Sequence, residues 1–473
     1  LSIRRQRQMC IRDRTTAKKN KYEIDMCNGT IMDKLISFSL PLMLSGILQL
    51  MFNAVDIIVV GRFSGSQALA AVGSTSALIN VFTNLFIGIS LGANVLTARF
   101  YAAGREKEVS ETVHTAITLA LVSGIVMALV GLVFSKGALA LMGTPDDVIG
   151  LSALYMRIYF LGMPFFMLYN YGAAILRAVG DTKRPLLFLM IAGVINACLN
   201  MVLVIVFKLG VAGVAIATVI SQMISCVLVL RCLCRSESSY RLRFSELGMK
   251  GYYLKQIFSV GVPAGIQSTV INFSNVLLQS SVNSFGSTAM AGYTAANNLL
   301  GFLYVSVNSI TQACMSFTSQ NYGVGKLKRM DRVLADCMIL SVVVAVVLGC
   351  ICYGFGPEIL QIYTEDAEVI ACGMEILAYT TITYFLCGWM DLFPGALRGM
   401  GYSAVPMVLS VIGTVGTRVV WIFGIFPYHR SLAILFISYP ASWIITIVLQ
   451  VICFYFVRRR VHRRSQALAG QEG

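Results

Sequence analysis

Asp56 stands in the stretch QLMFNAVDIIVVGRF, residues 49–63, where every neighbour within a helical turn except Asn53 is apolar. A carboxylate can pass between a charged and a neutral form, and at the centre of a membrane-spanning helix it costs ~2.5–3.5 kcal/mol on insertion scales. Its presence there points to ion or proton chemistry. Asn53, one turn earlier, and Asn196 and Asn200, in NACLN, add amide oxygens that can ligate a cation or hold the carboxyl in place. Pro41 and Pro185 each stand near the start of a helix running the same way, and Asp56 and Asn200 each lie fifteen residues further on. At ~1.5 Å per residue both stand ~22 Å along, at one depth. A lone carboxylate among amides is the simpler proton site, and the surrounding oxygens keep sodium open. Asp391 is the other deeply placed aspartate; it is either a second coupling group or one half of a structural ion pair with Arg418.

Further polar residues recur at helical spacing. Ser45, Gln49, Asn53 and Asp56 share one face of their helix, and Ser268, Asn272, Asn275, Gln279 and Asn283 share a face of another. Gln49, Asn170, Ser268, Asn272, Asn275 and Gln279 are therefore expected to line a substrate cavity; the alternative use of such stripes is hydrogen bonding between helices.

The elements that position these residues are membrane helices. The chain is 57% hydrophobic and only 12% charged over 473 residues, against roughly 25% charged in soluble domains. Apolar runs predict twelve spans, approximately 35–60, 68–98, 112–134, 152–176, 186–207, 211–233, 256–282, 289–318, 333–355, 369–396, 406–426 and 432–457. Lys and Arg gather between spans 2 and 3, 4 and 5, 6 and 7, 8 and 9, and 10 and 11 and after span 12, while Arg62, Lys136, Lys208 and Arg430 stand on the other side. Both termini are then expected in the cytoplasm. The net charge of +15 is a topology signal rather than a nucleic-acid footprint, because the basic residues flank apolar helices instead of forming one face.

An internal repeat organises the chain. AILRAVGDTKRP (174–185) falls on GALRGMGYSAVP (395–406) at an offset of 221, and the same offset carries GSQALAAVG (65–73) onto GSTAMAGYT (286–294) and TARFYAAGR (97–105) onto TSQNYGVGK (318–326). At the first helix of each half the offset is 222, pairing Pro41 with Pro263 and Asn53 with Asn275. Six spans per half make two parallel lobes related by an axis along the membrane normal. The expected organisation is an N-terminal tail over 1–25, an N-lobe over 26–235, a cytoplasmic linker over 236–254, a C-lobe over 255–457 and a basic tail over 458–473. The first fourteen residues, LSIRRQRQMCIRDR, read as translated adapter DNA, with a native start expected near Met26; the alternative reading is a genuine basic tail.

Other chemistries lack their residues. No G-x-x-x-x-G-K-[ST] loop is present to cradle a nucleotide phosphate, and no acid–base or nucleophile pairing suggests an enzyme. The thirteen cysteines mostly sit within apolar helices, and the pairs Cys232/Cys234 and Cys350/Cys352 lack the further ligands of a zinc site. No metal site and no cofactor are expected.

VDIIVVGRFSG after a proline-containing first helix, TARFYAAGR, LRAVGDTKRP, NACLN and their second-half echoes together resemble the multidrug and toxic-compound extrusion (MATE) transporters over nearly all of 30–457. The resemblance implies a twelve-helix monomeric antiporter of a bacterial cytoplasmic membrane, driven by a proton or sodium gradient and exporting small organic, often cationic, compounds. The family's first-helix aspartate maps onto Asp56. Asn200 replaces the second aspartate of a proton-coupled branch, and Ile271, beside Asn272, replaces the glutamate of a sodium-coupled branch. The alternative within the same superfamily is a flippase for lipid-linked oligosaccharide, whose cavity should be richer in Arg and Lys than spans in which Arg157 and Arg418 are the deeply placed cations.

Overall fold

The computed structural model describes residues 21–471, and all its long elements are helices. The fourteen-residue start discussed above lies outside the described residues. The first half comprises α1 (Met32–Phe63), α2 (Ser66–Ala103), α3 (Glu106–Leu141), α4 in two pieces (Asp146–Leu161 and Met163–Ala178), α5 (Lys183–Asn200, running on as a π-helical turn, Met201–Val206) and α6 (Gly210–Cys234). The second comprises α7 (Gly251–Asn283), α8 (Ser287–Gly323), α9 (Leu327–Gly354), α10 in two pieces (Ala367–Thr380 and Tyr384–Gly399), α11 (from Ala404–Ser410 through two π-helical turns to Trp421–Ile425) and α12 (Leu432–Gln471).

Eight of these helices are long and apolar enough to cross a membrane alone, and the two bent pairs cross as α4 and α10. α7 and α8, of 33 and 37 residues, complete the twelve; they are long enough to span but carry the polar stripes. The sequence pattern had not revealed the bends. α4 turns by 47° at Gly162, just before Pro164, and α10 by 51° across Thr381–Thr383.

Each half builds its own core. Val113, Met156, Phe160, Tyr171 and Val214 belong to the buried cluster of the first half, and Leu299, Tyr293, Ile376, Phe436 and Trp443 to that of the second. The repeat is visible in backbone detail: Gly180 and Gly401, paired by the 221 offset, both hold positive φ, +96° and +93°. A side chain there would be strained by conformation and by space, because a Cβ on Gly180 would lie 2.6 Å from the Ile24 backbone and one on Gly401 2.8 Å from the Arg99 guanidinium.

α1 belongs to both lobes. Its first half places Leu35, Phe38 and Leu42 in a cluster with Ile310 and Phe317 of α8, Val333 of α9 and Leu392 of α10, whereas Val59 and Val60 near its end join the N-lobe core. Phe38 meets Phe317 edge-on with ring centroids 5.6 Å apart.

The lobes are joined at one end. α2 and α7 cross so closely that a Cβ on Gly88 would fall on the backbone of Gly265, and one on Gly261 on the backbone of Ile89. Small residues permit this approach, and dispersion over the contact holds it. Further along the same end, Asn94 donates to the Ala174 carbonyl (2.8 Å) and accepts from Ser316 (3.1 Å), Ser319 donates to the Val95 carbonyl (2.6 Å) and Gln320 to the Ala178 carbonyl (2.7 Å). Among the described residues, hydrogen bonds between α1–α6 and α7–α12 all fall at this end. The segment before α1 lies across it: Tyr101 and Tyr240 both donate to Glu23, while Asn321 and Arg329 donate to the Met26 carbonyl. In the α4–α5 turn, burial pushes the Asp181 carboxyl up while the Arg184 guanidinium beside it pulls it down.

Gly88→Val should push α2 off α7, at the ~1–3 kcal/mol typical of overpacking. The expected outcome is a melting temperature several degrees below wild type in detergent, with Gly137→Val, where a Cβ meets nothing within 4 Å, unchanged. Equal melting of the two variants would show that the lobes do not meet at these glycines.

Candidate functional site

Asp56 lies in the second half of α1, facing α5. Asn200 donates its amide to Asp56 and, at 3.2 Å, also to the Asn196 side-chain oxygen one turn back. Asn196 and Asn200 are 5% and 0% exposed, so the network is closed off on the α5 side. It sits where α5 widens: Asn200 is the last residue before the π-helical turn Met201–Val206, an irregularity that concentrates at functional sites. The charge of Asp56 also acts on Tyr155 and Tyr159 of α4, whose rings stack 6.1 Å apart. These tyrosines were missed in the sequence, although their spacing of four on an apolar helix was the available signal. The arrangement can neutralise a carboxylate with a proton, or offer carboxylate and amide oxygens to a small cation. Asn53, one turn before Asp56, is exposed and makes no described hydrogen bond.

The second half holds a cavity of about 470 Å³, bounded by α2, α7, α8, α10, α11 and α12. Ser268, Asn272 and Asn275 of α7 line it, together with Asp391. Gln49, Asn170 and Gln279 are not among its lining residues. Asn170 bonds the Phe166 carbonyl of its own helix (2.8 Å). Gln49 is exposed on the helix that crosses between lobes, and Gln279 lies a turn beyond Asn275. Helical period identifies a face but not what the face meets. A polar stripe on α8 was overlooked: Asn297, Gly301, Tyr304, Asn308 and Gln312, at steps of four, three, four and four, all line this cavity.

The charges in the cavity also differ from expectation. Arg418 does not pair with Asp391. Its guanidinium donates to Ser274 and Asn275, each at 2.7 Å, and sits 4.7 Å from the centroid of the Tyr439 ring. The cation whose field reaches Asp391 is Arg398, two turns later on the same helix, which donates to Gln267 at 2.6 Å. Arg398 stands two residues past the predicted span 369–396, and in the structure it lines the cavity from the second piece of α10.

The two polar sites occupy related places in the repeat. Asn275 is the counterpart of Asn53 at offset 222, and Arg418 falls at offset 221 on Ala197, next to Asn196. Each site therefore joins the first and fifth helices of its own half, and each adjoins a π-helical turn, Met201–Val206 or Trp421–Ile425. One carries an acid, the other a guanidinium.

The MatE family model matches residues 41–202 and 263–423, once in each half. A probable multidrug resistance protein of Bacillus subtilis (strain 168), YoeA, is 32% identical over 434 residues, covering 89% of this chain and 93% of that protein. The multidrug export protein MepA of Staphylococcus aureus (strain NCTC 8325 / PS 47) is 22% identical over 81% of this chain and 84% of its own length. Among solved structures, a MATE in its bent conformation superposes with a TM-score of 0.84 at 19% identity, over 96% of this chain and 100% of that one. An outward-facing multidrug resistance MATE transporter of the MOP superfamily gives 0.85 at 19% identity, over 94% and 99%. With the twofold match of the family model and this relative spanning nearly the whole chain, the protein belongs to the MATE family of multi-pass membrane transporters.

Proposed function

We propose that this chain is a secondary active multidrug efflux antiporter of the cytoplasmic membrane that exchanges protons, or sodium, for small organic compounds by alternating access. The observation that carries the reading is the one-sided joining of the lobes: backbone crossing and hydrogen bonds close one end, and a cavity of about 470 Å³ lies beyond the closure. That volume suits a drug-sized molecule. The names of the relatives, multidrug resistance and multidrug export proteins, support the same substrate class. The basic loops 2–3, 4–5 and 8–9 lie at the closed end, which supports reading that end as cytoplasmic and this conformation as outward-facing.

Asp56 is the proposed coupling group. α1 packs on the C-lobe in its first half and on the N-lobe near its end, so a change in the Asp56–Asn200 contact acts on the helix that bridges the lobes. A gradient of one pH unit supplies ~1.4 kcal/mol per proton, enough for about a tenfold substrate gradient at unit stoichiometry. Membrane potential adds ~2.3 kcal/mol per charge per 100 mV for either cation, so it does not choose between them. A second reading, a flippase for pyrophosphate-linked oligosaccharide, is favoured by one observation: Arg398 joins Arg418 in the cavity.

Asp56→Asn should reach the membrane in wild-type amounts, because it relieves a buried charge, and should reduce dye efflux from cells to the level of cells lacking the protein. Retained efflux at every pH would remove Asp56 as the coupling group.

In proteoliposomes, an imposed pH gradient without sodium should drive movement of a cationic dye such as ethidium. Strict dependence on a sodium gradient would reassign the ion, and movement of a lipid-linked sugar without dye movement would favour the flippase.

A further inference from the structure

We propose that the second-half cavity binds organic acids, and specifically the carboxylate of a ring-bearing molecule, with Arg418 as the anchoring cation and Arg398 as its neighbour. This rests on the reading of the chain as a transporter but on neither the coupling ion nor a cationic substrate. The cavity lining contains three charged side chains, Asp391, Arg398 and Arg418, so its formal charge is positive. The single acid and Arg398 lie two turns apart on α10. The charge of Asp391 acts on Arg398, whereas Arg418 stands apart on α11.

Arg418 is 3% exposed, and its described partners are all neutral: the Ser274 hydroxyl, the Asn275 amide oxygen and the Tyr439 ring. Among the described residues no carboxylate lies within ion-pair distance of it. A guanidinium presents five N–H donors; here Nη1 makes both described hydrogen bonds, and Nε is buried with no partner. Burying such a group without an anion is costly, and a guanidinium that borders a cavity while keeping an unpartnered donor matches a carboxylate ligand.

The walls supply the rest of the ligand. Tyr384 packs edge-on against Trp443 with centroids 5.6 Å apart, Tyr439 tilts against the same Trp443 at 5.8 Å, and all three line the cavity beside Arg418. Rigid aromatic surfaces next to a guanidinium favour a flat ring carrying the acid. The N-lobe lacks this character, since its equivalent site is built on the Asp56 carboxylate, which repels the same ligand.

Binding of 1-naphthoate to the purified full-length protein tests this without transport. Isothermal titration calorimetry should give saturable binding of naphthoate, and binding of the uncharged 1-naphthylmethanol at least about tenfold weaker, the loss of one charge-assisted contact. Arg418→Met should weaken naphthoate by at least about tenfold while leaving naphthylmethanol unchanged. Asn275→Asp serves where that variant does not fold: it gives Arg418 an internal counter-ion at an existing hydrogen-bond position, and should abolish naphthoate binding in a protein that melts no lower than wild type. Equal affinity for acid and alcohol, or naphthoate binding that survives Asn275→Asp, would overturn the proposal. Naphthoate that binds as expected, yet is not moved in proteoliposomes under any ion gradient, would leave the site intact and count against the transporter reading instead.

Discussion

Backbone lies directly on backbone where α2 crosses α7, at Gly88 and Gly265 and again at Ile89 and Gly261, and the rest of the molecule is arranged around that crossing. In a bilayer the hydrophobic effect does not drive helices together, so adhesion must come from close packing and from hydrogen bonds that lipid cannot supply. The glycines provide the first. Asn94, Ser316, Ser319 and Gln320 provide the second within a few turns. Concentrating adhesion at one end leaves the other free of interlobe hydrogen bonds among the described residues, which is the condition for a cavity between or within lobes.

α1 ties the two lobes together through a single helix. It is anchored on α8, α9 and α10 through Leu35, Phe38 and Leu42, and reaches Asn200 in the opposite lobe through Asp56. A helix cannot rotate as a rigid body with both lobes when they move relative to one another. It must bend or release one contact, and the Asp56–Asn200 hydrogen bond is made by a group whose charge can change. The segment carrying Glu23 and Met26 spans the same closed end, bonded to α2 and the α6–α7 linker on one side and to α8 and α9 on the other.

The repeat imposes architecture without imposing chemistry. Gly180 and Gly401 keep the same left-handed turn, and π-helical turns recur beside the fifth helix of each half. Yet the first half places a carboxylate between its first and fifth helices, and the second a guanidinium. Buried charges of opposite sign cost similar amounts of solvation, so the scaffold tolerates either; what each attracts is opposite.

Hydropathy, with helix length for the two polar-striped helices α7 and α8, determined the twelve crossings, because hydrocarbon thickness sets a minimum length. The repeat, read as a constant offset, determined two parallel lobes. Counting fifteen residues from Pro41 and Pro185 put Asp56 and Asn200 at one depth, and they are bonded. Depth transfers because rise per residue is nearly constant; azimuth does not. Which face of α1 meets the N-lobe, why Gln49 and Asn170 miss the cavity, and why Arg418 turns to Ser274 and Asn275 rather than Asp391 depend on crossing angles and on the bends of α4 and α10. Those bends arise from proline, from broken hydrogen bonding and from what packs alongside, which are properties of neighbours brought together in three dimensions.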